Sequence, residues 1–120
     1  MLNYNIKGTG LEITDELRSY VERRLAHADK FLQGDPSALV AVELEHQAAR
    51  SGERNRAEFT VSAAGAVYRA ERWAETMHAA IDIAVGELSN ELGRGKKKRI
   101  HLVRRSAHAV KEYLRGWRTR

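Results

Sequence analysis

Hydrophobic and polar residues alternate along Leu2-Asn3-Tyr4-Asn5-Ile6-Lys7, the period-two pattern of a strand with one covered face. Gly8 and Gly10 close it. Leu17, Val21, Leu25, Ala28 and Leu32 then recur at three- and four-residue steps, which predicts an amphipathic helix. Ile13-Thr14-Asp15-Glu16 reads as its start, with Thr14 as N-cap and two carboxylates where the helix dipole favours negative charge. Gly34, Asp35 and Pro36 are expected to end it.

Alternation returns where Val40, Val42 and Leu44 face away from Ala41, Glu43 and Glu45, and again where Ala57, Phe59 and Val61 interleave with Glu58, Thr60 and Ser62. These are two strands joined by a polar hairpin, Arg50-Ser51-Gly52-Glu53-Arg54-Asn55. Ala64-Gly65 is a tighter turn, and Val67 to Arg72 supplies a fourth strand with Tyr68 and Ala70 opposite Val67, Arg69 and Glu71. Thr76 is placed to cap a second helix. In it Met77, Ile81, Ala84, Leu88 and Leu92 fall in one apolar stripe at about 100° per residue. Gly93 and Gly95 are expected to stop this helix as C′ glycines do. The order is β-α-β-β-β-α: an α+β domain with a mainly antiparallel four-stranded sheet and both helices on one face.

A chain of 120 residues is one domain in size and buries roughly two thirds of its unfolded surface. There is no cysteine, which excludes disulfides and thiolate zinc sites. No apolar run approaches the ~20 residues of a membrane span, and the N-terminus lacks a basic-then-apolar signal pattern. The expected location is the cytoplasm.

The net charge of +5 is unevenly divided. Residues 1–93 hold ten Lys and Arg against fifteen Asp and Glu, giving −5, whereas residues 94–120 hold eleven against one, giving +10. Arg94, Lys96, Lys97, Lys98 and Arg99 open the basic block, which suits a polyanion such as nucleic acid. Beyond it Val103, Ala107, Val110, Leu114 and Trp117 return to helical spacing among Arg104, Arg105, Lys111, Arg115 and Arg118. Residues 96–120 therefore form a basic extension with the periodicity of an amphipathic helix.

Particular residues, taken in this order of elements, resemble the ribosome hibernation factor family, the small proteins known as hibernation-promoting factor and ribosome-associated inhibitor A. They are Ile6-Lys7-Gly8, Glu12-Ile13-Thr14, Leu17-Arg18, Val21, Arg24-Leu25 and Lys30-Phe31, then Met77-His78-Ala79-Ala80-Ile81-Asp82, Leu88, Leu92 and the basic run. The resemblance covers roughly residues 1–99. It implies a double-stranded-RNA-binding-like fold over residues 1–95 that lodges on the small ribosomal subunit, in the channel used by mRNA and tRNA. There it would contact rRNA, block translation and preserve idle ribosomes as monosomes or dimers. Long members carry a further dimerisation domain, and the chain after Gly95 is too short to hold one.

Carried over position by position, the resemblance implies rRNA contacts by Arg18, Arg24, Lys30, Arg94 and Lys98, with Lys96, Lys97 and Arg99 in the same run; the basic tail beyond the resemblance, from Arg104 and Arg105 on, is expected to anchor the domain further. Three positions depart from the family. His78 occupies a position where the family usually has an aromatic, and Glu87 and Asn90 stand where members tend to carry Lys and Arg.

Phosphate contacts of this kind tolerate any sequence and read no bases. Tyr113 and Trp117 fit packing better than base stacking. His27, His46, His78, His101 and His108 make no ligand motif, and Glu43 with Glu45 reads as a solvated strand face rather than an acid–base pair. No phosphate loop or nucleophile elbow is present, so a non-enzymatic chain without cofactor or small-molecule substrate is expected. Two other readings stay open: a general RNA-binding domain, or a tail that binds an anionic membrane or a protein partner. Self-association is equally open. An uncharged stripe on the second helix, Ala79, Ile83, Gly86 and Asn90, could receive the tail or another protein.

Overall fold

The computed structural model describes residues 3–98 except 33, 34, 36 and 64, with side chains as far as Arg94. The order is β1 (Asn3–Thr9), α1 (Asp15–Asp29), β2 (Leu39–His46), β3 (Asn55–Ala63), β4 (Ala66–Ala74) and α2 (Met77–Lys98). The strands lie side by side in sequence order; β1 pairs parallel to β2, and the other two pairings are antiparallel. The α+β class and element order are those expected.

Thr14 caps α1 as its sequence predicts, its hydroxyl accepting a hydrogen bond from the Leu17 amide at 3.1 Å. The stripe Leu17, Val21, Leu25, Ala28 and Leu32 is buried throughout. The helix nevertheless ends earlier than Gly34-Asp35-Pro36 suggested, with Lys30 as C-cap. Three-residue bonds from the Phe31 and Leu32 amides to the Ala28 and Asp29 carbonyls, 3.0 and 2.9 Å, tighten the last turn, one of the usual ways of satisfying terminal carbonyls. Leu32 reaches the core from that turn.

Gly10, at φ +74°, lets the chain leave β1 over the end of β2, where a Cβ would stand 2.2 Å from the His46 carbonyl oxygen. Only glycine meets both demands.

The core lies between the sheet and the helices. Val40, Val42 and Leu44 of β2, Phe59 and Val61 of β3, and Val21, Ile81, Val85 and Leu88 of the helices are all fully buried. Tyr68 and Ala70 belong to the inward face of β4, which the alternation had left undecided.

Thr76 caps α2, its hydroxyl accepting from the Ala79 amide at 3.1 Å. The glycine stop expected at Gly93 and Gly95 is corrected: α2 continues through both to Lys98. A C′ glycine takes positive φ, and among the described residues only Gly10, Gly52 and Gly65 do so. A glycine inside a helix costs about 1 kcal/mol against alanine. Buried Leu88 and Leu92 hold the turns up to Gly93 against the core, and a cost of that size is too small to end the helix there.

Among the described residues the opposite face of the sheet carries no helix, yet it is not the solvated face its Glu43 and Glu45 suggested. Arg56, its side chain 10% exposed, sits among Glu43, Glu45, Glu58 and Glu71 at 2.8, 2.7, 3.2 and 2.7 Å. Glu58 also pairs with Arg69. Burial raises the Glu43 pKa, but the Thr9 hydroxyl and Arg56 outweigh it and hold the carboxyl below its usual range. Gln47 and Arg56 do the same for Glu45.

Because Gly93 is a helix-interior residue and a Cβ there would meet Phe31 Cε1 at an ordinary 3.5 Å, Gly93→Ala should stabilise the fold by about 0.5–1 kcal/mol. A lowered melting temperature would restore the C-cap reading. Arg56→Met should destabilise the domain by about 3 kcal/mol at neutral pH, because it strands half-buried carboxylates. Glu43 and Glu45 titrate below their ordinary values when folded, so their contribution is present above the unfolded pKa and lost as pH falls through the folded one. The deficit in urea melts should therefore shrink below about pH 4; a pH-independent deficit would contradict the ion-pair account.

Candidate nucleic-acid interface

The two helices run in the same direction. Near the start of α1 the Tyr20 hydroxyl donates to Asp82 of α2 at 2.6 Å, and the Tyr20 ring meets His78 edge-on with centroids 4.4 Å apart. Near its end Phe31 reaches Gly93. Both C-termini therefore emerge at one end of the domain, where unsatisfied carbonyls favour cations.

Lys30, the exposed C-cap of α1, places its Nζ 5.2 Å from the centre of the Phe31 ring. Through Phe31 it neighbours the turn of α2 that holds Gly93 and exposed Arg94, which pairs with Glu91 one turn back. The last turn of α2 contains Lys96, Lys97 and Lys98. The structure thus gathers Lys30, Arg94 and the backbone of Lys96–Lys98 at one end. Arg99, Arg104 and Arg105 lie outside the described residues, as does the rest of the extension.

Arg18 and Arg24 lie apart from that group, on opposite flanks of α1. Arg18 is exposed beside Tyr4, whose hydroxyl donates to Glu22 at 2.5 Å. Burial and the Glu22 carboxylate together push the Tyr4 hydroxyl pKa up, against the opposing pull of Arg18. Arg24 points towards α2, its Nε 3.0 Å from the Asp82 carboxylate. It is an interhelical strut before it is a surface cation. His78, the departure from the expected aromatic, keeps the aromatic contact with Tyr20 and adds a contact to Glu16 at 2.8 Å. Glu87, the second departure, holds Arg72 of β4 at 2.5 Å, so mid-helix α2 is tied to the sheet.

Sequence reasoning missed Arg23, exposed beside the Tyr20 ring at 5.5 Å, and the role of Asp82, which receives both Tyr20 and Arg24. For Arg23 the three-residue step from Tyr20 was the available signal; Asp82 lies on another helix and had none. Of the uncharged stripe, Ala79 packs partly against the core and Ile83 is 45% exposed. Among the described residues no group of three His, Asp or Glu side chains is arranged to hold a metal ion, and no helix is long and apolar enough to cross a membrane.

A family model described as Sigma 54 modulation protein / S30EA ribosomal protein matches residues 4–100. The chain is 37% identical over 95 residues to a ribosome hibernation promotion factor of Mycobacterium tuberculosis, covering 78% of this chain and 42% of the relative. A ribosome hibernation promoting factor of Azotobacter vinelandii is 30% identical over 99 residues, covering 82% of this chain and 87% of the relative. The chain spans about half the length of the first curated relatives it matches. Among solved structures, the N-terminal domain of Thermus thermophilus Protein Y superposes with a TM-score of 0.67 at 35% identity, covering 78% of this chain and 98% of that one. A ribosomal subunit interface protein from Coxiella burnetii, 17% identical with a TM-score of 0.65, shares the fold.

Proposed function

Since the chain belongs to the Sigma 54 modulation protein / S30EA ribosomal protein family, we propose that it is a non-catalytic ribosome hibernation factor of the cytoplasm. It binds small-subunit rRNA in the mRNA and tRNA channel and holds idle ribosomes inactive. The observation that carries this reading is the convergence of both helix C-termini, bringing Lys30, Arg94 and Lys96–Lys98 to one end of the domain. Lysine and arginine there act as point charges for phosphate oxygens and displace condensed counterions, which supplies affinity without base readout. The hibernation factors of Mycobacterium tuberculosis and Azotobacter vinelandii support the assignment by name and by likeness over most of this chain.

In this reading the body supplies shape and the helix ends supply charge. Arg18 and Arg23 on exposed α1 add phosphate contacts along the helix. Arg24 contributes chiefly by fixing α1 against α2, and Arg99, Arg104 and Arg105 extend the basic path. The general RNA-binding reading differs in one respect: it makes the fit to the subunit dispensable, so bulk duplex RNA would then compete as well as intact small subunits.

Reversing Lys96, Lys97 and Lys98 to Glu should release the protein from small subunits at moderate salt. The slope of log affinity against log salt should shrink by about 2 for three lost single-strand phosphate contacts. Co-sedimentation and salt slope unchanged by the triple substitution would remove the proposed role of the helix end.

A further inference from the structure

The hairpin between β2 and β3 lies at the far end of the sheet from the basic helix termini, because Thr9, His46, Asn55 and Ala74 all finish or begin their strands there. At that end the Arg50 guanidinium lies 3.7 Å from the centre of the Trp73 ring. Its Nε donates to the Glu53 carbonyl at 2.7 Å, and the Arg54 Nε donates to the Arg50 carbonyl at 2.6 Å. The loop turns at Gly52, φ +79°. Both guanidinium groups are thus held by Nε.

Four arginines elsewhere in the acidic body are matched to carboxylates, Arg24 to Asp82, Arg56 and Arg69 to Glu58, and Arg72 to Glu87, whereas Arg18 and Arg23 are exposed on α1 beside tyrosines. Among the described residues no carboxylate forms an ion pair with Arg50 or Arg54. Glu45, at the base of the loop, is engaged by Gln47 and Arg56, and Glu53, which stands between the two arginines in sequence, is the loop's one carboxylate. A fixed guanidinium backed by an indole is a flat cationic surface on which an unpaired base stacks. A neighbouring arginine suits the phosphate of the same nucleotide.

We propose that Arg50, Arg54 and Trp73 form a second RNA contact that takes one unpaired nucleotide, its base on the Arg50 plane and its phosphate on Arg54. The proposal rests on the ribosomal reading for its source of RNA. With the helix termini at one end and this hairpin at the other, the domain touches RNA at two points separated by the length of the sheet, about 25 Å for strands of this size.

The test uses the full chain carrying Trp117→Phe, which leaves Trp73 as its sole tryptophan. A short oligouridylate should change Trp73 emission saturably. Arg54→Glu, which spares the Arg50–Trp73 stack, should raise the midpoint about tenfold, and Glu53→Gln should lower it. Silence of Trp73 at saturating oligonucleotide, or an Arg54→Glu titration that overlays the parent, overturns the proposal. Sedimentation of the same proteins with small subunits separates the two readings. A parent that sediments while Trp73 stays silent refutes the hairpin contact alone. A parent that fails to sediment while Trp73 responds refutes the ribosomal reading alone.

Discussion

The parity of the strands governs where the charge of this protein appears. Parallel pairing of β1 with β2 requires α1 to return along the sheet before β2 begins. The antiparallel excursion through β3 and β4 then brings the chain back to the end from which α1 started. The second helix must therefore descend in the same direction as the first, on the same covered face. Two parallel helices put two C-terminal dipole ends together, and cations at Lys30, Arg94 and the last turn of α2 are favoured there for the same reason that they are useful to a phosphate-binding surface. The contacts of Tyr20 with Asp82 and of Phe31 with Gly93 fix the relative positions of the two helices near both ends.

The body surrounding this arrangement is acidic, and much of its charge is internally matched. Arg56 closes four carboxylates into one network on the uncovered face, and Arg72 joins β4 to the middle of α2. Buried or half-buried pairs of this kind contribute little net stability against an apolar alternative, and removal of one partner is what costs. Their consequence here is spatial. Arg24, Arg56, Arg69 and Arg72 are matched to carboxylates in the middle of the domain, whereas Lys30 and Arg94 stand at one end and Arg50 and Arg54 at the other, with Arg18 and Arg23 exposed on α1 between them.

Much of the fold is legible in the sequence because each element buries one face. The period-two strands and the stripes from Leu17 and Met77 identified the inward residues, and Thr14 and Thr76 identified both helix starts. Helix ends were less legible. Gly93 and Gly95 carry a local stop signal worth only about 1 kcal/mol, and the helix runs through both. The position of Lys30 beside the end of α2 could be guessed only once both helices were known to run in parallel. Arg24 looked like one more surface cation because its partner, Asp82, lies on another element. The Arg56 network escaped notice for a related reason: alternation shows which residues share a face, but strand register determines that Glu43, Glu58 and Glu71 stand in one row across three strands.

A density map of the full chain bound to the small ribosomal subunit tests the central claim most directly, since it shows which end of the domain meets phosphate. The account predicts Lys30, Arg94 and Lys96–Lys98 at salt-bridge distance from rRNA phosphates, with the Arg56 network turned away from the helix-end contact. A map in which the Arg56 face lies against rRNA while the two helix C-termini touch no phosphate would contradict it.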